Sequence, residues 1–193
     1  MTRRSARHLA GKETPAEPPS SSRASRPIFT AGFFGMSSKE LVIFLLAFLA
    51  LSIVFLALWY YIGAYYQAAV FFVAKYILLA LGYSYEQIAG MDFTGAYLVN
   101  FNLVPLFALA LATPRLSLRQ RLAMLAIGVP LLFVIHVLDI VAHLPHFIEL
   151  YYQHRIGFAT LIVDSLGVIG LAIAFGIWVL ICYRAFLSDQ KTV

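Results

Sequence analysis

The feature that most constrains this chain is a run of 22 residues, Leu41 to Ile62, that contains no charged side chain. At about 1.5 Å per residue, an α-helix of this length extends for about 33 Å, and the hydrocarbon core of a bilayer is about 30 Å thick. Trp59, Tyr60 and Tyr61 close the run, where amphipathic rings favour the membrane interface. The run is too long for the apolar region of a cleaved signal peptide, so it predicts an uncleaved membrane span.

The rest of the chain has the same character. Hydrophobic residues make up 62% of the sequence and charged residues 12%, whereas a soluble domain is about half apolar and about a quarter charged. We therefore predict an all-α, polytopic membrane protein with four transmembrane helices. Their predicted positions are Leu41 to Ile62, Tyr97 to Thr113, Leu122 to Val141 and Phe158 to Tyr183.

Composition also predicts the domain boundaries. Residues 1–38 contain four prolines and the cluster Ser20 to Ser22, with little that could form a core, so they are expected to be a disordered basic cytoplasmic tail. Residues 39–187 form the predicted helical membrane domain, and residues 188–193 a short cytoplasmic tail. The net charge of +5 does not indicate nucleic acid, because the charges flank apolar spans. The expected partners are the lipid bilayer and another membrane protein.

The apolar segment Tyr65 to Leu81 admits three interpretations: a span, a re-entrant segment, or a helix that lies on the membrane. Lys75 interrupts it, and a lysine at the centre of a membrane helix costs about 2.5–3.5 kcal/mol. With four spans, twelve of the 14 Lys and Arg residues lie on the cytoplasmic side. A fifth span here would move the basic loop and the C-terminus outside. The positive-inside rule therefore predicts that both termini are cytoplasmic and that 65–81 is an outer interfacial or re-entrant helix.

Polar residues cluster in and near the predicted spans. His136, Asp139 and His143 lie at positions i, i+3 and i+7, which is one stripe of a helix. His146 continues the stripe if the helix persists through Pro145. Ionisable residues inside membrane spans are costly and often functional. Further polar residues are expected at the same depth, near the outer membrane face, and complete the candidate site: Asn100, Asn102, His154 and Asp164.

Three roles are open for this stripe. The imidazoles His136, His143 and His146 are suitable ligands for zinc, copper or iron, including haem iron, with the carboxylate orienting a ligand. A histidine–carboxylate pair can also transfer protons or contact a substrate. Alternatively, His136 and Asp139 hydrogen-bond each other and hold helices together. The sequence leaves the cofactor open.

The one cysteine, Cys182, is not expected to be a nucleophile. It is placed at the inner end of the last span, about 30 Å from the histidine stripe, whereas nucleophile and base must be within hydrogen-bonding reach. Because no other complete catalytic motif occurs in the sequence, the chain is predicted to be non-enzymatic.

The order of segments resembles the exosortase/archaeosortase family of membrane transpeptidase-like enzymes. The stretch from Tyr97 to Ile140, with its Arg115 to Arg121 turn, has that family's layout. His136, Asp139 and Ile140 stand where the family has an Asn-x-x-Arg element, Asn100 to Asn102 stand near its Cys-Ser-Gly element, and His154 stands at the position of a later histidine.

Two departures decide what the resemblance implies. The nucleophilic cysteine of the family is absent, and Asp139 stands at the position of its arginine. The resemblance therefore implies a degenerate, non-cleaving relative, an accessory or assembly subunit in a bacterial-type cytoplasmic (inner) membrane. The alternative function is a metal- or haem-binding redox or enzyme component that uses His136, Asp139 and His143.

Overall fold

The structure, a computed structural model, describes residues 36–190, except for the side chains at positions 94, 98 and 186–190. Nearly all of the predicted disordered tail, residues 1–38, lies outside the described residues. Positions 191–193 of the predicted C-terminal tail also lie outside them.

Among the described residues the fold is all-α, and four helical segments are long and apolar enough to cross a membrane. This confirms the predicted fold class, a polytopic helical membrane protein. The last helix extends past the predicted domain end at 187. The helices in chain order are α1 (Ser38–Ala80), α2 (Tyr85–Ala89), α3 (Thr94–Val99), a 3₁₀ turn (Asn100–Asn102), α4 (Leu103–Ala112), α5 (Leu118–Phe147), a π-helical turn (Ile148–Tyr152) and α6 (Phe158–Gln190).

Helix α1 differs from the prediction, because the segment Tyr65 to Leu81 is not a separate helix. It continues the first span in one helix of 43 residues, about 65 Å long. The two residues that join the first span to this segment, Gly63 and Ala64, include no proline. An isolated glycine in a helix costs only about 1 kcal/mol. Gly63 has a packing role, since a Cβ there would lie 2.7 Å from the indole nitrogen of Trp59.

The second span is interrupted at Asn100–Asn102, where α3 and α4 are joined by a 3₁₀ turn. Two features of the sequence favour the interruption. Pro105 lacks the N–H that would bond to residue 101, and its ring crowds that carbonyl. Asparagine side chains also compete with regular helical hydrogen bonding. The broken helix brings two amide side chains into the interior of the bundle.

Helix α5 is longer than the predicted span and continues through Pro145 to Phe147. It is followed by the π-helical turn, whose Glu149 caps the next helix. The carboxylate of Glu149 accepts hydrogen bonds from the backbone N–H groups of Ala159 (3.1 Å) and Thr160 (3.2 Å). These groups have no partner within α6, so the carboxylate stabilises the start of that helix.

Both described ends of the chain lie at one end of the bundle, here called the basic end. Arg115 of the loop after α4 forms an ion pair with Glu40 at the start of α1. Trp178, in the C-terminal half of α6, stacks on Phe44 of α1 at 5.6 Å between ring centroids. This arrangement is the one expected for four spans with both termini on the same side.

Two hydrophobic clusters follow one another along the bundle. The first lies toward the basic end and includes Phe44, Leu106 and Leu132. The second lies toward the opposite end, here called the histidine end, and includes Ala74 and Ile140. Tyr66 packs against both clusters, and it marks the level at which buried polar residues separate them.

Candidate functional site

The candidate site is a buried polar layer formed by Tyr66, Asn100, Asn102, His136 and Asp139. Asn100, His136 and Asp139 have no exposed surface at all (0%). His136 lies 18 residues from the start of α5, about 27 Å along the helix, so the layer is about one hydrocarbon thickness from the basic end.

His136 is bound to α1 rather than to its helical neighbour. Its Nδ1 lies 2.8 Å from the hydroxyl oxygen of Tyr66, and the rings meet edge to face at 5.8 Å. The other ring nitrogen, Nε2, lies in a buried position without a hydrogen-bond partner of good geometry, although the backbone carbonyl of Val99 is close to the ring. We assign the ring proton to Nε2, facing that carbonyl, with Tyr66 donating to Nδ1.

The side chain of Asp139 is fully buried in the layer. Both carboxylate oxygens are buried and have no hydrogen-bond partner. An ionisable neighbour is His143, whose Nδ1 lies 3.7 Å from Oδ2. That Nδ1 donates instead to the backbone carbonyl of Asp139 at 3.0 Å. The alternative in which His136 and Asp139 hydrogen-bond each other is therefore wrong, although both side chains face the interior.

The asparagines enter the layer from the 3₁₀ turn. Asn100 directly follows Val99, and neither its amide oxygen nor its amide nitrogen has a partner. The Asn102 amide reaches α6, where a Cβ added at Gly170 would lie 2.4 Å from its nitrogen. Gly170 is therefore the residue that makes room for Asn102 between the helices.

The remaining predicted site residues lie outside the layer. His146 is engaged at the histidine end, where its Nδ1 lies 3.0 Å from the hydroxyl of Thr160. His154 is exposed in the loop before α6 and has a positive φ of 47°. Asp164 is exposed on the outer surface of α6.

The three imidazoles proposed as metal ligands do not converge. His143 and His146 are neighbours, with ring centroids 5.8 Å apart, but His136 is bound to Tyr66 on α1. Within residues 36–190, no three histidine, cysteine, aspartate or glutamate side chains are grouped closely enough to hold a metal ion. The histidine stripe is thus divided among three different sets of contacts.

Cys182 is buried in the cluster toward the basic end, which also includes Trp178 and Phe44. It is separated from the polar layer by the length of this cluster, so a cysteine–histidine couple is not formed.

Sequence reasoning missed Tyr66 as a member of the site. Its neighbours Tyr60, Tyr61 and Tyr65 are exposed and have the positions of an interfacial belt, so composition alone does not distinguish Tyr66 from them. The signal that separates it is helical phase, because Tyr66, Val70 and Ala74 follow one another at i, i+4 and i+8.

The chain matches no family model, no curated protein and no solved structure.

We expect Tyr66→Phe to lower stability by about 1–3 kcal/mol, because it leaves Nδ1 of His136 buried without a partner while keeping the ring. Thermal unfolding of the purified protein in detergent measures the change. Tyr65→Phe is the matched control, since Tyr65 is exposed. Equal unfolding temperatures for the two variants would show that the Tyr66–His136 hydrogen bond contributes nothing.

Proposed function

We propose that this multi-pass membrane protein is a non-enzymatic accessory or assembly subunit that associates with a second membrane protein. The observation that carries the proposal is the exposed Asp164 on α6. On the same face, Leu161 is 59% exposed and Val168 is 71% exposed, so the carboxylate lies within an apolar surface. Ionisable residues of membrane helices almost always face a polar partner or a cavity. Asp164 is therefore expected to meet a polar group of another chain.

The same face of α6 allows close approach of a helix. Ala172 and Gly176 are four residues apart and both exposed, and a Cβ added at Gly176 would meet nothing within 4 Å. Small residues at this spacing permit two membrane helices to pack closely. Asp164 would then supply the polar contact, and Ala172 and Gly176 the packing surface.

This role agrees with what the resemblance to the exosortase family implies. In that case the second membrane protein is a sorting enzyme, and the location is a bacterial cytoplasmic membrane. The partner would supply the nucleophile, because the one cysteine of this chain, Cys182, is buried away from the imidazoles.

Site-specific photo-crosslinking in the native membrane tests the proposal. With a photo-reactive residue at Val168, we expect a discrete adduct with another protein, whereas the same residue at Val134, an exposed position of α5, should give none. Asp164→Leu should reduce the adduct at least about tenfold, the effect of losing about 1.4 kcal/mol of binding. Asp164→Asn should reduce it less, because an amide still forms hydrogen bonds.

Two outcomes would contradict the proposal. An adduct of twice the mass of this chain would identify a homodimer in place of an accessory subunit. Equal labelling at Val134 and Val168, unaffected by Asp164→Leu, would indicate random collisions in the bilayer.

A further inference from the structure

The polar layer contains a buried carboxyl group that forms no hydrogen bond with the surrounding side chains. Asp139 is 0% exposed and both its oxygens lack a partner. An isolated carboxylate in an apolar interior is strongly disfavoured unless a positive charge or several hydrogen bonds accompany it. The layer therefore requires either a cation or a proton at Asp139.

The neighbouring basic side chains are engaged elsewhere. In the assigned tautomer, His136 brings no positive charge, since Tyr66 donates to its Nδ1. The Nδ1 of His143 donates to a backbone carbonyl, and it is 3.7 Å from the carboxylate, beyond hydrogen-bonding distance. Lys75 of α1 is nine residues, about 13 Å, along the helix from Tyr66, and its ammonium group lies over the rings of Tyr76 and Tyr85.

The carboxylate of Asp139 and the amide of Asn100 are both buried without a hydrogen-bond partner, and each supplies oxygen atoms, which hard cations prefer as ligands. The unpartnered amide of Asn100 belongs to the 3₁₀ turn that interrupts the second span. Interrupted membrane helices commonly supply side-chain and backbone oxygens to ions in this way. A single carboxylate is neutralised by a single positive charge, which favours a monovalent cation over a divalent one.

We propose that the polar layer binds one alkali-metal cation, with Asp139 and Asn100 as its side-chain ligands. His143 lies between this site and the surface at the histidine end, and its side chain is 12% exposed. The cation enters past His143, one helical turn from Asp139. The inference is independent of the proposed partner on α6, because the two sites share no residue.

Sodium titration of the purified full chain tests the site. Sodium chloride is exchanged for choline chloride at constant ionic strength, and the unfolding temperature is followed. We expect a saturable rise of at least about 4 °C with sodium, since a ligand that binds only the folded state stabilises it. Asp139→Asn should abolish the rise. Glu86→Gln, which removes an exposed carboxylate of α2, should leave it unchanged.

Direct binding of radiolabelled sodium in a scintillation proximity assay is the second measurement, and it needs no unfolding transition. Asn100→Ala should weaken this binding at least about tenfold, and it serves as the test variant if Asp139→Asn does not fold. An identical response to sodium and choline, together with no retained label, would show that Asp139 is neutralised by a proton or by His143, and would overturn the proposal. Full sodium binding by Asp139→Asn or by Asn100→Ala would also overturn it.

Discussion

Replacing Arg121 by alanine is expected to destabilise the protein by at least about 3 kcal/mol, because one charged side chain serves several backbone carbonyls. The guanidinium donates to the carbonyls of Ala110, Leu111 and Thr113 at the end of α4, and Nε donates to that of Leu116 at 3.1 Å. The last carbonyls of a helix have no partner within it. Arg121→Ala would therefore leave all four of these carbonyls without their donor at once.

The effect should extend beyond α4. The hydroxyl of Thr113 accepts a hydrogen bond of 2.7 Å from the indole of Trp178 on α6, so a loosened α4 end also affects the contact between the two helices. Thermal or denaturant unfolding in detergent measures the loss. We expect Arg121→Lys to recover only part of it, because an ammonium group cannot reproduce the planar set of donors.

Arg119 provides the matched control for this prediction. It belongs to the same basic segment and is exposed, so Arg119→Ala should change stability by no more than about 0.5 kcal/mol. If both variants lost the same stability, the effect would come from the charge of the basic end and not from the capping of α4.

Gly128→Leu is expected to separate α4 from α5 and to cost about 3 kcal/mol or more, the upper end of what overpacking costs in a core. A Cβ at Gly128 would lie 2.7 Å from Cδ2 of Leu106, and Leu106 is itself fully buried. The absence of a side chain at this position therefore sets the distance between the two helices.

A double variant tests whether the loss of stability comes from steric overlap between the side chains at positions 128 and 106. Leu106→Ala alone should cost about 2–5 kcal/mol by leaving a cavity. Combined with Gly128→Leu, it should cost less than the two changes added together, because the new side chain occupies the vacated space. Unfolding temperatures of the four proteins measure the coupling. Strict additivity would mean that the two positions do not compete for the same volume.

The membrane fold was predictable because hydrophobic length is a local property of the sequence. Leu41 to Ile62 and Phe158 to Tyr183 are long enough to cross a bilayer whatever they contact, and both lie inside observed helices. The helix boundaries were less predictable. Beyond Gly63, α1 is packed through Val70 and Ala74 against the second hydrophobic cluster, and the residues of that cluster on other helices are distant in the sequence.

Part of the site was also predictable from a local property of the sequence, the spacing of polar residues along one helix. The spacing of His136 and Asp139 places them one turn apart on a helix, and their cost in lipid indicates an interior position. Both are buried in the structure. Their partners, however, come from other helices: Tyr66 is 70 residues from His136 in the sequence.

The sequence by itself thus determined the apolar spans, the basic end and the stripe that carries His136 and Asp139, since each follows from periodicity or composition along one helix. The tertiary structure alone decided which polar atoms meet. The four helices pack at a particular rotation and height, and this packing brought Tyr66 to His136 and Asn100 to the same layer. It also left Asp164 on the outer surface of α6. The rotation of a helix about its axis determines which of its side chains face a neighbouring helix, and that rotation depends on the packing of all the helices together.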